Sequence, residues 1–308
     1  MNPGGQMKPR VVLAGGSGFI GKALSDRFSA LGYEVAILSR SRRMEEGIVR
    51  SVWDGETLGE WASLLEGAAA VINLAGEHAH LRWTDENRVR ILESRTKSTA
   101  VIGKAIRACA TPPKVWINAS GVGYYGDRGD EELDESSSAG EGFLVDVCLA
   151  WERAQLEVET PGTHKVQVRI GLVLGREGGA FLQLSKFTKL FLGGAQGSGK
   201  QWMSWIHIED LASIFQWAVD SDYVGPVNGV GPDPVRNGDL MATMRRVMGR
   251  PWSPPAPAFA LKLAGAMMGM ETGVVLQSQR AKSRVLAEHG FEYRFTDLAE
   301  AIRDLLKK

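Results

Sequence analysis

The sequence predicts an α/β protein built on a doubly wound parallel sheet, with a smaller C-terminal α/β domain beside it. Three features predict this. Up to residue 175, short apolar runs alternate with amphipathic helical stretches, the pattern of a parallel sheet covered on both faces. A glycine-rich loop joins the first apolar run to the first helix. After residue 175 the pattern loosens into a Gly-rich loop, separate helices and a Pro-rich link, as a second, smaller unit would.

The elements follow in order. RVVLA (10–14) is the first strand. FIGKALSDRFSALG places Phe19, Ile20, Ala23, Leu24, Phe28 and Leu31 at helical spacing, and Gly32 stops the helix. EVAILS is the second strand, and VINLAG (71–76) and KVWINAS (114–120) are further buried strands. Between those two, TDENRVRILESRTKSTAVIGKAIRAC reads as one long helix. VQVRIGLVLG (166–175) reads as a single strand running into a loop. GGAQGSGKQWMSW is a loop with two tryptophans, HIEDLASIFQWAVDS an amphipathic helix and DLAEAIRDLLKK a closing helix. ALKLAGAMMGMETGVVL is apolar and Met-rich; Met267, Met268 and Met270 read first as core, with a pliable lid or a homodimer surface as the alternative. Residues 1–7 are expected to be a disordered leader, 8–232 a nucleotide-binding domain whose cleft takes in 176–205, and 233–308 the smaller domain.

Composition narrows the function. Lys+Arg and Asp+Glu both number 36, so no net charge draws the chain to nucleic acid or an anionic membrane. No apolar run is long enough to span a bilayer. The two cysteines, Cys109 and Cys148, are far apart and form no CxxC pair. That excludes a disulfide framework and a cysteine zinc site, and fits a reducing, cytoplasmic setting. The five histidines show no metal-ligand spacing, so no metal is expected.

The loop Gly15-Gly16-Ser17-Gly18-Phe19-Ile20-Gly21 lies between strand and helix. Glycines there allow a tight turn and let backbone N–H groups approach a pyrophosphate, which the helix N-terminus also favours. Alone such a pattern is a weak signal; on strand–loop–helix at the start of an α/β chain it points to a Rossmann-type dinucleotide site. The second strand ends in Ser39-Arg40, followed by Ser41, Arg42 and Arg43. An NAD site places a carboxylate near here; serine and arginine suit the 2′-phosphate of NADP(H) instead. A solvated basic turn accounts for Arg42 and Arg43. Leu74, Ala75 and Gly76 leave a strand at its carboxyl end, where ligands of such sheets bind.

GGSGFIG, NLAG, SGVGYYGDRGDE, RIGLVLGREGGA and GSGKQWMSWIHIEDL occur in that order, and the tail carries PAPAFALKL, QSQR and GFEYRFTDLAEAIRDLL. Together they resemble the YfcH-like (SulA-type) group of atypical short-chain dehydrogenase/reductases, labelled sugar-nucleotide epimerase-like. The similarity covers nearly the whole chain from Arg10. It implies an extended short-chain dehydrogenase-like fold, NADP(H), and a small-molecule substrate, with a nucleotide sugar as one class, in a cleft between two domains. Ordinary extended members use a Ser and a Tyr-x-x-x-Lys pair, the Tyr donating a proton. Counted from Trp151-Glu152, those last two positions fall on Leu144 and Cys148 here. The dyad is missing, and Ser120 matches the serine. Arg95 stands where relatives carry an asparagine and is expected to touch the cofactor; Arg90 is a weaker candidate, equally a solvated helix arginine. Val173 matches a loop along the nicotinamide half.

Tyr124 and Tyr125 follow Ser120 and are expected first as stacking walls, then as substitute proton donors. Cys148 reads as a small buried filler. Asp127, Arg128 and Asp130 read as a polar turn. Arg82, Trp83, Gln201, Trp202, Ser204 and Trp205 are expected to border a substrate cleft, since aromatics beside polar donors suit a ring or sugar. Trp205 can equally be core, and His207 reads as structural. A non-catalytic NADP(H) redox sensor is the rival to an oxidoreductase or epimerase-like enzyme. No nucleic-acid or membrane partner is expected.

Overall fold

The computed structural model describes residues 8–40, 48–269 and 271–307. The expected leader (1–7), Ser41, Arg42, Arg43 and Met270 lie outside the described residues. The first half of the chain alternates strand and helix: β1 (Arg10–Ala14), α1 (Phe19–Ala30), β2 (Glu34–Ser39), β3 (Val49–Val52), β4 (Ala70–Asn73), α2 (Asp85–Ala108) and β5 (Val115–Gly121). The middle runs through β6 (Glu132–Leu133), α3 (Phe143–Leu156), β7 (His164–Ile170), β8 (Leu172–Leu174), α4 (Gly179–Lys189), β9 (Trp202–Met203), β10 (Trp205–His207), α5 (Ile208–Asp220) and β11 (Gly225–Gly229). The end holds β12 (Val235–Arg236), α6 (Asn237–Val247), α7 (Ala258–Met268), α8 (Gly273–Leu276), β13 (Arg280–Ala281), α9 (Arg284–Glu288) and α10 (Leu298–Leu306).

Seven strands form one sheet in the order β11-β7-β5-β4-β1-β2-β3, and every neighbouring pair is parallel. Strand alternation builds a core on each face. Val11, Leu13, Ile72 and Ile117 point to one side and pack with Leu24 and Phe28 of α1 and Leu211 and Phe215 of α5. Val12, Ala14, Val71 and Trp116 point to the other and pack with Ile102 and Ile106 of α2. Each such side chain, fully buried, stabilises the fold by about 1.5–3 kcal/mol. Chain order reverses beside β1, which has β2 on one side and β4 on the other. This is the switch point at which such sheets leave a crevice for ligand.

Two strands at or near the sheet edges, β3 (VRSV) and β11 (GPVNG), escape the sequence pattern, because neither is an apolar run. The expected single strand 166–175 is corrected. β7 ends at Ile170, and β8 pairs instead with β10. Gly171 is where the chain changes partner: its N–H donates to Gly229 O, and the next, Leu172 N–H, donates to Ser204 O. A methyl group at Gly171 would lie 2.1 Å from Ser204 O, so only glycine admits this approach.

A smaller core joins α4, β8 and β10 to α6 and α10 through Leu174, Phe181, Trp205, Leu240, Met244, Ile302 and Leu305. α10 is well specified, since the Asp297 carboxylate accepts from Glu300 N–H at its N-terminus. The reading of Met267 as core is also corrected. Helix α7 exposes Phe259 (73%), Leu263 (64%) and Met267 (82%). Among the described residues, no helix is long and apolar enough to cross a membrane.

Candidate functional site

The loop after β1 and the exit from β4 touch at the switch point. Gly15 has φ +72°, and a methyl group on it would lie 2.8 Å from Ala75 backbone atoms. Gly15 N–H donates to Leu38 O, and Leu74 N–H donates to Ala14 O. Gly21 packs α1 tightly on the loop, since a methyl there would lie 2.3 Å from Gly16 O. Gly18 has no neighbour within 4 Å of such a methyl, and Ser17 is exposed. Gly18 is also the N-cap of α1; it offers no side-chain cap, and the first turn holds no acid. The first N–H groups of α1 and its positive dipole end are therefore available to an anion.

Phe19 contributes backbone to this cradle and its ring elsewhere. The ring nests in the loop after β8, where a methyl at Gly175 or Gly178 would lie 2.2 or 2.6 Å from it. Ile20 packs on the core. Arg40 follows β2, is exposed and has no ion pair among the described residues; Ser39 beside it is buried. Gly76 lies bare against Arg95, whose Cζ would be 2.9 Å from a methyl there. The Arg95 guanidinium stands over Trp151 at 4.9 Å and donates to Ile91 O at 2.9 Å. Burial lowers its pKa, against the pull of Cys148 and Glu77. Arg90 is exposed and sits 3.4 Å from Glu77 Oε2, an ordinary solvated pair.

Beyond Arg95 a cavity of about 320 Å³ opens between β5, α3, β7–β8 and the segments at 202–204 and 274–279. Ser120, Leu144, Cys148, Trp202 and Ser204 all line it, so the positions corresponding to the missing Tyr and Lys do face the cleft. Cys148 donates weakly to Gly121 O at 3.6 Å. Burial and then the Glu152 carboxylate push its thiol up to about 11, with Ser120 and Arg95 pulling down. At neutral pH it is an unreactive thiol.

Behind the cavity wall lies a buried polar network that the sequence reading missed. Ser120 Oγ donates to Glu152 Oε1 at 2.7 Å. Arg169 grips Glu152 with two bonds of 2.9 Å and donates to Tyr125 Oη at 3.1 Å. Tyr125 donates in turn to Asn228 Oδ1 at 2.8 Å. Burial works against the Arg169 charge, but Glu152 and Tyr125 more than offset it, so its pKa lies above the ordinary value. Ser120 is thus aimed by Glu152, with its lone pairs left for a ligand. Alternation along β7 puts Arg169 on the face that α3 covers; periodicity could have flagged it as a charged residue inside a strand.

Several expected residues stand away from the cavity. Tyr125 is fully buried, and burial pushes its phenol up to about 12 despite Arg169; it is spent on Asn228 and donates no proton to a ligand. The Tyr124 ring stacks on the Arg169 guanidinium at 3.4 Å, a wall for the network rather than for the cavity. Val173 belongs to the core, while its neighbours Ile170, Gly171 and Leu172 line the cavity. Trp205 is 1% exposed and donates to Asp233 O within the smaller core. Gln201 is buried and donates to Gln196 O and Val275 O, fixing the 196–201 loop. Trp83 donates to Ala79 O and so holds a lining residue in place. Arg82 is exposed, with its N–H on Gly269 O. Trp202 does line the cavity; its ring is held by Arg236 and Arg280, and its N–H by Asp130. His207 is structural: Nδ1 accepts from Glu209 N–H and caps α5. Among the described residues, no group of three His, Cys, Asp or Glu could hold a metal.

A glycine cradle at the switch point beside a partly open cavity defines a nucleotide-binding α/β protein of the short-chain dehydrogenase/reductase type. Two family models agree: the NAD dependent epimerase/dehydratase family matches residues 11–146, and a domain of unknown function, DUF1731, matches residues 256–305. The chloroplastic epimerase family protein SDR39U1 homolog of Arabidopsis thaliana is 34% identical over 304 residues, 96% of this chain and 86% of that one. Epimerase family protein SDR39U1 of Homo sapiens is 35% identical over 305 residues, 96% of this chain and 99% of that one. A crystal structure of the human protein (isoform2) with NADPH superposes with a TM-score of 0.86 at 34% identity, covering 96% of this chain and 98% of that chain. The chain belongs to this SDR39U1-type epimerase family, with its C-terminal domain of unknown function.

Proposed function

We propose that the chain binds NADP(H) across the β1/β4 crevice and works as an atypical, epimerase-like oxidoreductase on a small molecule in the adjoining cavity. The observation that carries this is the uncapped N-terminus of α1, opening beside glycines that leave no side chain in the way. Arg40, exposed at the end of β2, would take the 2′-phosphate, and Arg95, against Gly76, would hold the nicotinamide half. The human relative's complex with NADPH supports the same cofactor. When bound, the cofactor supplies hydride exchange with a carbonyl or alcohol carbon. Ser120, fixed by Glu152, would orient the substrate oxygen from the cavity wall. Neither Tyr124 nor Tyr125 lines the cavity, so bound water would supply the proton. The finer YfcH-like placement, the division at residue 232 and a cytoplasmic setting belong to this proposal; two free cysteines support the last.

Arg40→Ala tests the cofactor assignment. A lost charge-assisted contact is worth about 1.5–3 kcal/mol, so NADPH should bind over tenfold more weakly while NADH is little changed. Equal losses for both would remove the assignment. The second reading, a non-catalytic redox sensor, is favoured by Leu144 and Cys148 in the wall where a proton donor and a cation would stand. NADPH oxidation with any member of a panel of ketones would exclude it.

A further inference from the structure

The walls of the cavity say what it can hold. Among the described residues that line it, Arg95 alone is charged. That guanidinium lies against Gly76 and over Trp151, on the cofactor side. Val122, Leu144, Val147, Ile170, Leu172, Met203 and Val274 supply most of the remaining surface. The polar lining groups are largely tied to one another. Ser204 Oγ donates to Gln279 O and accepts from Ala281 N–H. Gln279 donates to Gln277, and the Trp202 N–H is held by Asp130. A nucleoside diphosphate would bring a pyrophosphate into a space where the cations stacked on the lining Trp202, Arg236 and Arg280, are already paired with Asp130 and Glu132, and a buried anion without a partner is strongly disfavoured.

Helix α7, which precedes the wall residue Val274 in the chain, is also largely apolar. Phe259, Leu263 and Met267 recur at four-residue intervals along α7 and are exposed. Arg82 N–H donates to Gly269 O and Glu271 N–H donates to His80 O, which holds the residues that flank the lining Ala79.

We propose that the cavity takes a neutral, largely apolar carbonyl or alcohol compound, its one oxygen directed to Ser120, and not a nucleoside diphosphate sugar. This rests on the NADP(H) reading above. The test uses the protein saturated with NADP⁺, and prodan, a neutral naphthyl ketone whose emission shifts blue in apolar surroundings. Prodan emission should shift and saturate, and excess UDP-glucose should leave it unchanged. Val274→Asp should weaken prodan at least tenfold with NADP⁺ affinity unchanged. Leu144→Asp is the second variant, should the first not fold. Displacement of prodan by UDP-glucose, no blue shift, or unchanged prodan affinity in both folded variants would overturn the proposal. NADP⁺ binding is followed separately by calorimetry. Failure there sinks the cofactor reading, and the UDP-glucose competition, run on the protein without NADP⁺, still decides the substrate class.

Discussion

In the proposed site Ser120 is held by Glu152, and Glu152 by Arg169. The two charged side chains are 9% and 4% exposed and share two bonds of 2.9 Å. Removing one charge leaves the other buried without compensation, which costs about 3–5 kcal/mol. Glu152→Gln does so and also turns an amide toward a guanidinium that keeps its proton. Arg169→Met does so in reverse and strands the Tyr125 hydroxyl. Each single change should therefore remove a fifth or more of a typical total stability of about 5–15 kcal/mol. Making both should be less damaging than the sum, because no unpaired charge remains; a coupling of about 2–3 kcal/mol is expected. Urea unfolding followed by tryptophan fluorescence measures all four corners of the cycle. Additivity within about 0.5 kcal/mol, or single losses near zero, would refute the view that this pair is a desolvated unit holding the site.

Two further predictions concern the frame of the site. Gly15→Ala places a methyl 2.8 Å from Ala75 at a positive φ, so NADPH affinity should fall far more than it does for an exposed Gly→Ala change such as Gly162→Ala; calorimetry compares them. His207 is buried, and burial lowers its pKa from 6.5 to about 4, against Asp304 and with Arg294. A depressed pKa means stability is complete above about pH 6.5 and is lost as pH falls toward 4. His207→Asn keeps an acceptor for the α5 cap and should flatten that slope in unfolding measured at several pH values; an unchanged slope would point to another group.

Much of the nucleotide half is legible in the sequence, because its signals are local. A strand, a glycine loop and a helix are contiguous, and the carboxyl ends of strands can be counted along the chain. The positions of Leu144 and Cys148 in the cavity wall also follow from spacing on one helix. Long-range pairing is what spacing cannot supply. Arg169 reads as an odd charge in a strand until Glu152 of α3 is seen against it, and Tyr125 reads as a loop phenol until its hydroxyl is seen donating to Asn228 of β11. Gly171 looks like one more small residue; the strand break becomes visible only with Ser204, thirty-odd positions on, closing over it. Trp202 and Trp205 look alike in sequence, but they fall on different strands, β9 and β10, and one lines the cavity while the other joins the smaller core.

Phe19 begins the helix whose N–H groups face the crevice, and its ring fills the space left by Gly175 and Gly178. The phosphate cradle and the loop that continues the cavity wall are thus keyed to one ring. Substitutions on either side should show strong epistasis: a larger residue at 175 or 178 is tolerable only with a smaller one at 19. Any redesign of the cavity through the 170–179 segment would therefore alter cofactor affinity, and laboratory evolution of new substrates should draw its compensating changes from the first turn of α1.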